Sequence, residues 1–300
     1  MKNIFMVVAV CFAAFSCNRA ALPSVTPYNN AQIQNEQGNT ILAGHCSLNM
    51  LQTDPYKEWF YKSYSDYTID TLITNQISPY LKNKVIEIFL GSWCGDSKRE
   101  VPRMMKILKA ASFDTARVKL IFVDNSTKTY KQSPQHEEYG KNIHHVPTFI
   151  IYENKKELGR IVENPVVSLE KDLLGIITRQ SYTPDYRAIA YWQLNISKPG
   201  STLPDTALKI LAETLKPLCK SMGEFNAYGY VLLAQNNYTE ALNIFRLNTF
   251  IYPLDAGTYD SLAEGYLTAG NKSAAQKNYQ KVLELKPGDE NAIKMLKQIQ

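Results

Sequence analysis

The chain is poor in cysteine, with five in 300 residues. That excludes a scaffold stapled by disulfides and leaves room for one reactive thiol. Long hydrophobic runs are missing as well. The unbroken apolar stretch Ile4 to Phe15 has 12 residues. At about 1.5 Å per residue it is too short for a hydrocarbon core of about 30 Å. Charge of one sign does not dominate: 33 Lys and Arg face 28 Asp and Glu, for a net +5. Without a dense basic stripe, nucleic acid is not an expected partner. There are no spaced Cys/His pairs of the kind that hold zinc, so no metal is expected. A glycine-rich phosphate loop and a Ser-His-Asp signature are also missing, and no cofactor is expected. With 14 glycines, a collagen-like fibre is excluded.

What is present reads as ordinary globular protein, 45% hydrophobic and 20% charged. A chain of this length is expected to build two cores. At its start, Lys2 precedes the Ile4 to Phe15 run, which has the size of a signal-peptide core. The run closes on Ala14-Phe15-Ser16-Cys17, which resembles the lipobox of bacterial lipoproteins. The resemblance implies cleavage of residues 1–16 and lipidation of Cys17. It makes the chain an exported lipoprotein, anchored to a membrane and facing the periplasm, where disulfide chemistry is available. Residues 17–46, rich in Asn and Gln at first, are expected to be a polar tether.

From residue 47 the pattern becomes regular. Trp59, Phe60, Tyr64 and Tyr67 fall at helical spacing, and a second helix is expected from Asp70 to Leu81. Val85 to Leu90 is a buried strand closed by Gly91. A helix follows from Gly95 to Ala111, with Val101, Met104, Met105 and Leu108 on one face and a bend expected at Pro102. Val118 to Asp124 is another buried strand, and Thr148 to Tyr152 with Glu157 to Val162 forms a hairpin. Ser168 to Arg179 closes the unit as a helix. The order implies a mixed sheet with helices on its faces.

Trp93-Cys94-Gly95-Asp96-Ser97 sits where strand gives way to helix. There Cys94 would face unpaired N–H groups and the positive end of the helix dipole, and both favour a thiolate. Asp96 opposes that effect, and Lys98 and Arg99 offset it. Downstream, Val146-Pro147-Thr148 stands directly before a strand. The two motifs and the element order together resemble the thioredoxin family over about residues 65–180. The resemblance makes Cys94 the attacking cysteine and Pro147 the cis-proline of a groove formed with Trp93, Gly95, Val146 and Thr148. An extended substrate would pair with the Val146 backbone there. Besides Asp96 next to the thiol, this chain departs from the family at two further positions. Ser97 stands where the family has its second cysteine, and Ile88 where it has a buried aspartate. Cys94 would therefore leave resolution to another thiol, act as an isomerase, borrow Cys46, or be a relic in a binding module. Ser97 would donate a hydrogen bond to the thiolate. His144 and His145 precede the proline as loop histidines or groove lining, and Cys219 reads as a packing thiol within a helix from Leu211 to Met222.

The last third repeats itself every 34 residues: Ala241 recurs as Ala275, Phe245 as Tyr279, Pro253 as Pro287 and Phe225 as Tyr259. The period, the small residues at helix crossings and the closing proline resemble the tetratricopeptide repeat. Residues 222–300 are read as two repeats and an end helix. Residues 183–221 are read as a degenerate pair, with Ala207, Tyr191 and Leu194 as its packing residues. In that family, Lys and Asn on successive first helices clamp a peptide carboxylate. The matching positions here are Asn226, Tyr230, Asp260 and Glu264, so that clamp is absent, and an apolar or basic peptide fits better.

The expected architecture is thus an α/β thioredoxin-like domain over 47–182 followed by an all-α array of tetratricopeptide hairpins. The expected function is monothiol thiol–disulfide exchange through Cys94, with the repeats recruiting a protein partner. The alternative is an interaction scaffold in which neither part reacts.

Overall fold

The computed structural model describes residues 28–196 and 200–299. The signal segment 1–16, Cys17 and the first part of the tether lie outside the described residues.

The chain builds a six-stranded mixed sheet and then a run of helices. The strands are β1 (Ala31–Gln34), β2 (Thr40–Cys46), β3 (Lys84–Leu90), β4 (Val118–Phe122), β5 (Thr148–Glu153) and β6 (Lys156–Val162), in the order β1-β2-β4-β3-β5-β6. β3 and β4 are parallel, joined by the crossover helix α4 (Gly95–Ala110), and every other pair is antiparallel. Before β3 come α1 (Leu48–Leu51), α2 (Lys57–Asp66) and α3 (Thr71–Ile77); after β6 comes α5 (Leu169–Ile177). α4 continues through Pro102, whose ring removes one i→i−4 hydrogen bond.

Period-two alternation divides the strands between two cores. Ile86, Ile88, Leu90, Leu120, Phe122, Phe149 and Ile151 face a large core shared with Phe60, Met104 and Leu108. Their alternates Phe89, Ile121, Val123 and Ile150 face a smaller core on the other side, closed by Ile143 and Val146. In this alternation Glu87 falls beside Phe89, away from Ile88, and it is paired with Lys119 and Lys141.

The polar tether expected to run to residue 46 ends earlier, because β1 and β2 lie within it. β2 is buried along most of its length and pairs with β4 through Gly44, His45 and Cys46. β1 is a four-residue edge strand, with Gln32 and Gln34 turned outward and Ala31 and Ile33 half-buried. Four residues of alternation carry too little signal to outweigh a polar composition.

The helical region comprises α6 (Arg187–Asn195), α7 (Asp205–Leu215), α8 (Met222–Ala234), α9 (Tyr238–Ile251), α10 (Ala256–Thr268), α11 (Lys272–Leu285) and α12 (Glu290–Ile299). α8 and α10 start 34 residues apart, as do α9 and α11. Ala241 and Ala275, each fully buried, sit at equivalent crossings, as do Phe245 and Tyr279. A side chain on Gly229 would meet the Phe245 ring at 2.4 Å, so glycine is what lets α8 and α9 approach. α6 does not pack as expected: Tyr191 and Leu194 are exposed, and Ala188, Ile189 and Trp192 are buried instead. Trp192 decides this register, since its ring is buried and its Nε1–H donates to Glu240 at 3.1 Å. In α7, Ala207 is half-buried and Leu208 takes the core position. Cys219 lies beyond α7, after the break at Lys216-Pro217, and its thiol donates to the Leu215 carbonyl at 3.2 Å. No helix of the described residues is long and apolar enough to cross a membrane.

Candidate functional site

β3 ends at Leu90, and four residues turn the chain into α4. Cys94 is the N-cap of that helix, in extended backbone. Its N–H donates to the Gly91 carbonyl at 3.0 Å, and its own carbonyl accepts the Lys98 N–H at 3.0 Å. The first-turn N–H groups of this 16-residue helix therefore lie just past the cysteine. Ser92 ties the turn to β2, accepting the Leu42 N–H at 3.0 Å. Trp93 donates from Nε1 to the Val123 carbonyl at 2.9 Å, and its ring lies where a Gly91 Cβ would be, 2.5 Å away.

The Cys94 thiol points across to the segment before β5. Its Sγ donates to the Val146 carbonyl at 3.2 Å, and the Val146–Pro147 peptide is cis. The Pro147 carbonyl accepts the Glu163 N–H at 2.7 Å, and the buried Thr148 hydroxyl donates to the His145 carbonyl at 2.7 Å. Trp93, Cys94, Val146, Pro147 and Thr148 thus meet at one end of the sheet, and Gly95 opens α4 with open space where a side chain would stand.

Two of the expected residues behave differently. Ser97 is fully buried, and its hydroxyl oxygen accepts the Gly91 N–H at 3.2 Å. It serves the turn rather than the Cys94 sulfur, because the first helical turn carries its side chain back beneath the β3 exit. Cys46 is fully buried in the large core and pairs with Leu120, whereas Cys94 packs against the small core on the other sheet face. Burial pushes the Cys46 thiol up to about 11. A Cys46–Cys94 couple is not formed by this arrangement. Cys219, in the helical region, is pushed up to about 12, also by burial.

Asp96 beside the thiol is balanced by Arg99, which donates to its carboxylate and to Asn164 Oδ1, each at 2.5 Å. Arg99 also pairs with the buried Glu100.

The surroundings of the site include residues that motif reading passes over. Lys131 is 4% exposed and donates from Nζ to the His144 carbonyl. Burial lowers it to about 8, against the opposing pull of Glu163 and Cys94. Glu163 is raised by burial and accepts the Tyr186 hydroxyl. His144 and His145 turn their Nδ1 atoms toward each other at 2.8 Å. Burial, and then the Lys131 charge and Arg160, lower His144 to about 3. Burial, and then His144, lower His145 further still. Both rings are therefore neutral at ordinary pH. His144 lies edge-on to Tyr186 and Tyr228, so the helical region closes one side of this loop. No sequence motif marks Lys131. Its signal is only that a lysine in a polar loop is fully buried.

On the helical array, the four positions that match the family's clamp are taken up by hydrogen bonds within the array. Tyr230 donates to Glu264 at 2.7 Å, Asn248 donates to Asn226 at 2.8 Å, and Asn291 donates to Asp260 at 2.9 Å. No family model matches the chain, and no curated protein matches it.

Proposed function

We propose that the chain is a thioredoxin-like protein joined to tetratricopeptide repeats, and that it exchanges thiols and disulfides through Cys94 alone. The observation that carries this reading is a thiol at the N-terminus of a 16-residue helix, held 3.2 Å from the carbonyl that precedes a cis-proline. A helix terminus favours the thiolate, and the thiolate is the attacking species in exchange. The crossover helix, the mixed sheet and the hairpins 34 residues apart support the two family assignments.

In this reading a substrate strand lies along Val146, placing its disulfide over Cys94. The Cys94 proton passes to solvent. The thiolate lone pair forms a bond to one substrate sulfur, the substrate S–S bond breaks, and its electron pair leaves on the second sulfur, which takes a proton from solvent. The product is a mixed disulfide on Cys94 and one free substrate thiol; a second substrate thiol or an external one resolves it, since attack by the freed thiol only reverses the step. The separate burial of Cys46 supports external resolution. The repeats orient a protein partner, and the signal segment and Cys17 make the chain a membrane-anchored lipoprotein facing the periplasm.

The test is to incubate the folded protein with a protein substrate carrying disulfides, quench with acid and locate adducts by peptide mass spectrometry. An adduct on Cys94, absent in Cys94→Ala, is the expected result. A folded protein whose Cys94 never forms an adduct, while the same chain reacts when denatured, would leave the non-reacting scaffold in its place.

A further inference from the structure

Cys94 and the backbone edge beside it differ in exposure. The thiol is half-buried, and Gly95 next to it is exposed. Val146 is 2% exposed, and Pro147 is buried. The Val146 side chain packs into the small core of the sheet. The residues on either side of this segment are met by the helical array. Tyr186, the N-cap of α6, lies flat on His145, the residue before Val146, with ring centroids 3.9 Å apart. Its hydroxyl donates to Glu163, whose own N–H donates to the Pro147 carbonyl at 2.7 Å. One side chain of the array thus reaches both flanks of the Val146–Pro147 peptide. His144 extends the contact, edge-on to Tyr186 and to Tyr228 of α8.

Little apolar surface backs this contact. Among the described residues, the buried core of the array takes Val162 alone from the sheet. An interface that is not large and hydrophobic permits relative motion of the units it joins. Tyr186 itself stands at φ +65 and ψ +47, a left-handed conformation that a bulky residue adopts only when its surroundings impose it. Just before it, Tyr182 is anchored to the sheet unit, its hydroxyl donating to the buried Asp172 at 3.2 Å. Asp185 belongs with the array, paired with Lys220. Thr183 and Pro184 are the two residues left between anchor and array.

We propose that Tyr186 is a gate on the exchange proposed above: with its ring on His145 and its hydroxyl on Glu163 it covers the Val146 edge, and an extended substrate pairs there only after the array swings away about residues 183–184. The inference rests on the exchange reading and adds no covalent step. A substrate that needs only the sulfur meets no such barrier, because Cys94 stays half-exposed while the array is docked. The gate therefore discriminates by substrate class. Small disulfides are exchanged in the closed arrangement, and a protein strand waits for opening.

The test compares two probes on the full chain, each read as an adduct on the Cys94 peptide by mass spectrometry. One is cysteine carried as a thiopyridyl disulfide, and the other is an extended peptide whose central cysteine carries the same group. The chemistry is shared, and only the strand differs. A minor open state is populated at up to about 10%, and a site open for that fraction reacts more slowly by the same factor. Tyr186→Ala should therefore raise the ratio of peptide rate to small-probe rate by about tenfold or more. If Tyr186→Ala does not fold, Tyr186→Leu decides with the same expectation, since it keeps an apolar side chain and loses the flat ring and the hydroxyl. A folded variant with the wild-type ratio, whether both rates change or neither does, would overturn the gate and leave the exchange reading standing. No Cys94 adduct from either probe in any folded protein would remove the exchange reading itself.

Discussion

The His145 imidazole lies flat on the Tyr186 ring, with centroids 3.9 Å apart and planes at 17°. His145 stands two residues before Pro147, and Tyr186 is the N-cap of α6, at φ +65. One stacked pair therefore joins the loop of the candidate site to the first helix of the array. Tyr186 also donates to Glu163, and the Lys220 ammonium sits 5.1 Å from its centroid. Replacing Tyr186 by Ala is expected to cost about 3–5 kcal/mol in denaturant unfolding, the range for large aromatic truncations in a core. Tyr186→Phe, which keeps the stack and loses one hydrogen bond to a carboxylate, should cost about 1–3 kcal/mol.

Acid should weaken the same junction. His144 is lowered to about 3 in the folded chain by burial, Lys131 and Arg160. Unfolded, it titrates near about 6.5. The unfolded chain thus binds more protons between those values, and stability rises with pH there. The His144 contribution is complete above about pH 6.5 and is lost progressively as pH falls toward about 3. Urea midpoints should drop between pH 7 and pH 5, and a His144→Gln protein should show a shallower drop over that interval.

Gly91 is required by the Trp93 ring. A Cβ there would stand 2.5 Å from it, and the ring is held in turn by the Val123 carbonyl. Gly91→Ala should cost about 1–3 kcal/mol, as overpacking does. It should also shift the tryptophan emission and lower the yield of Cys94 adduct. A variant with unchanged emission and stability would show that Trp93 moves aside freely.

Ser97→Cys would return a second thiol to the first turn of α4. Under the proposed exchange, a mixed disulfide on Cys94 should then decay by attack of the new thiolate, releasing the reduced substrate. The check is the lifetime of the trapped adduct after excess substrate is removed, with loss of two hydrogens from the intact mass. An adduct as persistent as in the parent protein would show that the buried position keeps the new sulfur out of reach. Loss of the Ser97 bond to the Gly91 N–H accounts for a modest drop in stability, about 1 kcal/mol.

Sequence reading found what is local and missed what is assembled. Cys94 at a strand–helix turn, the period-34 hairpins and the alternating strands are each written within a few residues of one another. β1 escaped because Gln32 and Gln34 on an edge strand look the same as Gln in a linker. α6 was misread because Tyr191 and Leu194 fit the repeat as well as Ile189 and Trp192 do, and only the reach of Trp192 to Glu240 chooses between them. Ser97 looked like a partner for the sulfur because spacing gives the turn of the helix and not the side-chain rotamer. Lys131 is 13 residues from His144, and only the folded loop carries its ammonium to that carbonyl.

The division of the sheet into two cores gives the thiols separate chemical fates. A disulfide needs Cβ atoms about 3.5–4.5 Å apart, and Cys46 and Cys94 belong to cores on opposite sides of the sheet. The half-buried Cys94 sulfur therefore cannot be spent on Cys46. Under the proposed exchange, the disulfide that Cys94 attacks is one that arrives from outside the sheet.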